Sequence, residues 1–159
     1  MKIMITGACG HIGSYIVENI KKIKKVKEVI LLDNLSSKRY SSLFNLKSKK
    51  KIKINFSDKD ISQKNALNNF KKVHVVIHCA SLTNAEESFN IKKKMFKNNL
   101  NFIKNIIDFC VKKKSKLIHI SSTSVYGKKA KIVKENDKHL LKPQSPYAQI
   151  KLIEEKMLK

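Results

Sequence analysis

Met1-Lys2-Ile3-Met4-Ile5-Thr6-Gly7-Ala8-Cys9-Gly10-His11-Ile12-Gly13 opens the chain, and its reading decides the fold. Lys2, Ile3, Met4 and Ile5 form a short, mostly apolar run that predicts a strand. Ile12, Ile16, Val17, Ile20 and Ile23 then recur at helical spacing. Three of the chain's four glycines fall in the turn between the two elements. Glycines so placed allow a tight turn, close approach of backbone to a pyrophosphate, and close packing of helix on sheet. The following helix offers unbonded N–H groups and the positive end of its dipole to the same phosphates. An ordinary glycine-containing loop is the plainer alternative, but strand before and helix after are what a dinucleotide-binding turn requires.

Residues 29–32 (Val-Ile-Leu-Leu) form a continuous apolar run, as expected of a parallel strand buried on both faces. Asp33 follows at once, twenty residues after Gly13. A carboxylate there accepts the ribose hydroxyls of an adenosine and repels a 2′-phosphate, which favours NAD over NADP. Lys38 and Arg39 keep NADP open as the lesser choice, and a cap for the turn toward Ser36 is the structural alternative for Asp33.

Further along, residues 41–46 read as a short helix, and Ile52, Ile54 and Phe56 alternate as a third strand. Residues 63–72 read as a helix and 73–79 as a fourth strand. A long helix over 88–113 is supported by Phe89, Met95, Phe96, Phe102, Ile103, Ile106, Ile107 and Phe109. Residues 117–121 are a fifth strand, and the chain from Tyr147 onward is helical. Strands alternating with helices imply an α/β fold, a parallel sheet covered on both faces by right-handed crossovers. Ligands of such sheets bind beyond the carboxyl ends of the strands, where every motif of this chain falls.

Composition sets limits on function. The 159 residues suffice for one domain with a sizeable core, and 42% hydrophobic residues argue against disorder. No apolar run reaches the roughly 18 residues of a membrane span, and the opening apolar run is too short for a signal peptide, so the chain reads as cytoplasmic. Cys9, Cys79 and Cys110 lie far apart without a CxxC pair, so neither metal nor disulfide is expected; they read as reduced, buried small residues. The net charge of +23 suggests a nucleic-acid binder. Against that, Arg39 is the only arginine and the lysines are scattered over every element, alongside abundant Asn and Ile. Solvated faces and a coding bias explain the excess, and no specific nucleic acid is expected.

Tyr147 and Lys151 form a YxxxK pair, which on a helix shares one face. A neighbouring ammonium favours the phenolate and is expected to lower the tyrosine pKa toward values useful for proton transfer. The pair alone is common by chance in a lysine-rich chain. Its context sharpens it: both prolines of the chain, Pro143 and Pro146, flank the entry to this helix. Upstream, Ser121-Ser122-Thr123-Ser124-Val125-Tyr126-Gly127 supplies hydroxyls that can bond a substrate oxygen opposite the tyrosine; a plain Ser/Thr-rich loop is the alternative.

TGACGHIG, LLDNLSS, VVIHCAS, the segment around Asn99, ISSTSVYG and SPYAQIK follow one another as in the extended short-chain dehydrogenases. The chain resembles their NAD-dependent epimerase/dehydratase family along its whole length, and is most similar to the UDP-glucose 4-epimerase branch. The resemblance implies a Rossmann-type doubly wound parallel sheet, with residues 1–159 forming an NAD-binding domain that includes the start of the YxxxK helix. It implies that Gly7, Gly10, His11, Ile12 and Gly13 form the dinucleotide turn and that Asp33, with Asn34, holds the ribose. Asp60 and Ile61 match the pair that contacts adenine, although Lys59 stands where the family has glycine. Cys79, Ala80 and Ser81 match the stretch lining the cofactor, and Asn99 an asparagine with a structural or cofactor-side role. Ser122 matches the catalytic hydroxyl, Tyr147 the catalytic base and Lys151 its partner, the last two also touching the cofactor.

Departures from the pattern choose among the branches. Thr123 and Ser124 stand where dehydratases carry Asp-Glu, which removes the acid/base pair needed to eliminate water and favours an epimerase. Thr83 stands where some 4-epimerases have a cofactor-contacting lysine, so the branch stays open, and Asn101-Phe102-Ile103 replaces the usual x-Gly-Thr. Members of the family continue well beyond this length, and their C-terminal part builds the nucleotide-sugar pocket. The chain is therefore expected to be a fragment without its substrate-binding domain, inactive alone, whose parent binds a UDP-sugar and forms a homodimer. A dehydratase or reductase of the same family and a non-catalytic NAD-binding module are the competing expectations.

Overall fold

A computed structural model describes residues 1–43, 52–83, 87–127 and 132–159. Its strands are β1 (Lys2–Thr6), β2 (Glu28–Asp33), β3 (Lys53–Asp58), β4 (Val75–His78) and β5 (Lys116–His119); its helices are α1 (His11–Asn19), α2 (Lys92–Lys113) and α3 (Pro146–Met157). All strand pairings are parallel and the order is β3-β2-β1-β4-β5. This is the Rossmann order, with its topological switch between β1 and β4. The chain divides into two compact units, Met1–Ser81 with Lys104–Ile120, and Leu82–Ile103 with Ser121–Lys159.

In the first unit the period-2 alternation of the strands sends Ile3, Ile5, Val29 and Leu31 to one face, where they pack with Ala8, Val17, Ile20 and Val26. Met4, Ile30, Leu32 and Val76 point the other way and are also buried, which is why residues 29–32 of β2 are apolar without interruption. At the carboxyl ends of the strands that second face turns polar. Thr6 and His78 are both buried, with Thr6 Oγ1 and His78 Nδ1 2.7 Å apart, and the rings of His78 and His119 stack at 5.6 Å.

Most expected elements are present, with shorter ends. Strand four begins at Val75 and strand five stops at His119. α1 ends at Asn19, whose side-chain amide donates to Tyr15 O at 2.8 Å, and a 3-10 turn Ile20–Lys22 follows. Two expectations are corrected. Residues 63–72 form successive single turns, not a helix: the N–H groups of Ala66, Asn68 and Phe70 each reach back three residues, and Asn65 sits at φ 64°. Asn65, Asn68 and Asn69 offer the backbone competing hydrogen bonds and disfavour a helix interior. The long helix starts at Lys92, not 88, and Glu87–Phe89 is a separate 3-10 turn with Phe89 62% exposed. Of the helix expected over 41–46, Tyr40–Leu43 is a 3-10 turn and the rest lies outside the described residues. No helix among the described residues is long and apolar enough to cross a membrane.

Candidate functional site

The cradle of the first unit is built by the glycine turn, the end of β2 and the end of β4. Gly7 takes φ +65°, and a Cβ there would lie 2.6 Å from Ala80 N, so β1 and the segment after β4 close together only because it is glycine. A Cβ at Gly13 would lie 2.1 Å from Gly7 O and 2.9 Å from Ala8 Cα, so Gly13 lets α1 sit against the turn. The Gly10 N–H donates to Gly7 O at 3.1 Å, and the intrahelical ladder begins with the Ser14 N–H to Gly10 O at 2.9 Å. No side chain caps α1. Its first-turn amides at His11, Ile12 and Gly13 are thus left to an external acceptor, and the helix dipole favours an anion there.

Asp33 is aimed at this turn. Its Oδ2 accepts the Cys9 N–H and its Oδ1 the Leu35 N–H, each at 2.9 Å. Leu35 itself takes φ 54°, a left-handed conformation that the Asp33 bond helps hold. Asn34 Oδ1 accepts the Ser36 N–H at 3.2 Å. The two Asp33 bonds show it capping the turn, the structural alternative, with its carboxylate held beside the glycine turn. Beside it, burial first and the Asp33 charge second push the Cys9 thiol up to about 11, so this cysteine stays protonated and is no nucleophile. Cys9 and Cys110 are buried as expected, whereas Cys79 is only half-buried.

Asp60 Oδ1 accepts the Ser62 N–H at 2.9 Å, and Ile61 beside it is buried. The loop carrying both is tied down by Asn105, whose Nδ2 donates to Ile61 O at 2.8 Å and Gln63 O at 3.1 Å. Asn105 was not singled out in the sequence; a polar residue inside an apolar helical stripe was its one signal. Cys79 and Ala80 leave β4 under the hold of Thr6, whose carbonyl accepts the Cys79 N–H at 3.1 Å and whose Oγ1 accepts the Ala80 N–H at 3.4 Å. Ser81 follows, half-buried. A glycine cradle, uncapped helix amides and an oriented carboxylate fit an adenine dinucleotide. Among the described residues no cluster could hold a metal ion.

The second unit carries the hydroxyls and the YxxxK helix. Asn99 is fully buried, its Oδ1 accepting the Leu82 N–H at 2.9 Å and its Nδ2 donating to Leu82 O at 3.1 Å, a clamp on the start of that unit. The segment after β5 is braced by the pairing of Tyr126 with Leu141, with the Gly127 N–H donating to Leu140 O and the Lys142 N–H to Val125 O. This fixes the short 3-10 turn Thr123–Val125, of which Ser122 is the cap: its Oγ accepts the Ser124 N–H at 3.2 Å and lies 2.8 Å from Ser124 Oγ. α3 starts where Pro146 sets φ and Ser145 Oγ accepts the Ala148 N–H at 3.1 Å.

The structure brings Ser122, Tyr147 and Lys151 together, with the Ser122 hydroxyl close enough to act on the Tyr147 phenol and Lys151 Nζ 5.9 Å from the centre of its ring. It also corrects an expectation. The Tyr147 pKa is raised, not lowered: burial is the largest cause, the Glu154 charge the second, and the nearby Ser122 hydroxyl offsets part of both. The reason lies three residues beyond Lys151 on the same helix. Glu154 is 1% exposed and Lys151 4%, and Glu154 Oε2 accepts from Lys151 Nζ at 2.8 Å. The ammonium that was to acidify the phenol is thus neutralised by a carboxylate three residues on. Next to it, Glu155 pairs with the Ser121 hydroxyl.

The fold and cradle define a dinucleotide-binding α/β protein. More narrowly, residues 3–159 match the model of the NAD dependent epimerase/dehydratase family, and the chain belongs to that family. The UDP-glucose 4-epimerase of Yersinia enterocolitica is 30% identical over 163 residues, covering 100% of this chain and 48% of that protein. The dTDP-D-glucose 4,6-dehydratase of Dictyostelium discoideum is 30% identical over 164 residues, 92% of this chain and 37% of that protein. Among solved structures, the UDP-glucuronic acid 4-epimerase of Bacillus cereus, in complex with UDP-4-deoxy-4-fluoro-glucuronic acid and NAD, superposes with a TM-score of 0.87 at 27% identity, covering 99% of this chain and 51% of that one. The chain thus spans about half the length of the relatives it matches.

Proposed function

We propose that the chain is the NAD-binding and proton-transferring part of a nucleotide-sugar epimerase that acts on a UDP-sugar. The observation that carries this is the placing of the Tyr147 phenol beside the Ser122 hydroxyl and the Lys151 ammonium, with Tyr147 and Lys151 one turn apart on α3. NAD, when bound, supplies the acceptor for a hydride from a sugar carbon and returns it to the same carbon. Gly7, Gly10, His11, Ile12 and Gly13 receive its pyrophosphate, Asp33 with Asn34 its adenosine ribose, and Asp60 and Ile61 its adenine. Cys79, Ala80 and Ser81 line it, and Asn99 holds the segment beyond. Tyr147 Oη takes the proton from the sugar hydroxyl and gives it back, while Ser122 Oγ bonds the same oxygen. Lys151 serves the nicotinamide ribose. Thr123 and Ser124 carry no carboxyl group for removing water, which supports epimerisation over dehydration.

Because the match covers about half of each relative, the activity belongs to a polypeptide of their length, one with a substrate-binding domain and a homodimeric, cytoplasmic state. Residues 1–159 alone are expected to bind NAD and turn nothing over. Calorimetric titration with NAD and NADP tests the cofactor reading: saturable binding that prefers NAD supports it, and indifference to both overturns it. Conversion of UDP-glucose to UDP-galactose by the gene's complete product tests the chemistry. A Tyr147→Phe protein with full turnover would overturn the assignment of the base.

A further inference from the structure

The buried carboxylate of Glu154 has no part in the proton transfer just described, yet it lies among the groups that perform it. Two ionised side chains rarely share a position this dry, because removing each from water costs several kcal/mol unless the other compensates. Lys151 and Glu154 lie three apart on α3, where helix geometry brings side chains together, and their contact of 2.8 Å is that of a charge-assisted hydrogen bond.

From α3 itself, Tyr147, Lys151, Glu154 and Glu155 face this region, and Glu155 is engaged by the Ser121 hydroxyl. The Thr123–Val125 turn packed against α3 brings hydroxyls and no ionisable group. The Glu87–Phe89 turn, also packed against α3, brings the buried Ser88 and, in sequence, the acidic residue Glu87.

We propose that Glu154 is a positioning residue: it anchors the Lys151 ammonium on α3, takes up its charge, and so holds the Tyr147 phenol in its protonated form. The proposal rests on the reading of Tyr147 as the base and adds the residue that sets its acidity. Neutralising a like charge beside a phenol lowers its pKa, and an ammonium released from its carboxylate lowers it further. A purely structural Glu154, present only to satisfy a buried lysine, predicts no such coupling once an isosteric amide replaces it.

The test is an alkaline NMR titration of the chain labelled with 13C at the ring ζ carbon of tyrosine. It reports Tyr15, Tyr40, Tyr126 and Tyr147 separately, and Tyr147→Phe identifies the last. The native Tyr147 midpoint is expected above the ordinary phenol value. Glu154→Gln should lower it by about one pH unit, and Glu154→Asp, with its carboxylate drawn back by one methylene, by less, while the other tyrosines stay put. A Tyr147 midpoint unmoved in the Gln chain, or movement of all four tyrosines together, overturns the proposal. Should Glu154→Gln fail to fold by its amide spectrum, the Asp chain decides, and an unmoved midpoint there overturns it equally. No reading uses NAD or sugar, so failure here leaves the cofactor assignment standing, and failure of that assignment leaves this coupling standing.

Discussion

Tyr147 has to lose its phenolic proton to act as a base, and burial together with Glu154 makes that loss harder. The sign follows directly: turnover of the gene's complete product should rise with pH through neutrality and level off only on the alkaline side. Glu154→Gln should move that rise to lower pH, and a pH–rate profile of the two proteins checks both statements. Asp33 supports a second expectation. Its carboxylate is held in place by two backbone amides, so Asp33→Asn keeps the fold but loses charged hydrogen bonds to the ribose. NAD affinity should fall roughly ten- to a hundredfold, read by calorimetry. At this scale the glycine turn and Asp33 were legible because their residue types and spacing are dictated by backbone geometry and by the ligand's charge. Glu154 was not. An acidic residue in a lysine-rich chain looks solvated until burial is known, and burial is a property of the fold.

Among the elements, α3 depends most on its first turn. Ser145 satisfies the Ala148 N–H and Pro146 fixes the entry, so Ser145→Ala should cost about 1 kcal/mol in urea unfolding. α1 depends on Gly13, where a methyl group would overlap backbone of the glycine turn. Gly13→Ala should cost about 3 kcal/mol in the same assay, as overpacking against backbone does, and NAD binding should go with it. The strands and the three helices could be read because their hydrophobic periods are long or uninterrupted. The segment 63–72 could not: Ala66, Leu67 and Phe70 recur at helical spacing, while its asparagines turn the backbone locally instead. Phe89 misled in the opposite way, an apolar residue in phase with a helix that begins only after it.

Across the whole molecule, protonation and charge set the stability profile. Cys9 and Cys110 are raised from 9.0 to about 11 in the fold, burial being the leading cause for both. A group whose folded pKa is raised stabilises fully below its unfolded value and stops doing so as pH passes its folded one. The urea midpoint should therefore drop as pH rises from about 9 to about 11, and more gently in Cys110→Ala. The parallel order was foreseeable from alternating strands and helices; which strand flanks β1 on each side was not stated by any local pattern. That order has a consequence in time. β1 pairs on one side with β2, Ile3 opposite Val29, and on the other with β4, Ile3 opposite Val75. The first contact closes a short loop and the second a loop nearly three times as long, so the central strand waits half-dressed. At ribosomal speeds of roughly 5–20 residues per second, β1 spends several seconds with one edge open while its partner is still unmade. A nascent chain that emerges with such an edge is a client for chaperones, and slow synthesis would lengthen the exposure.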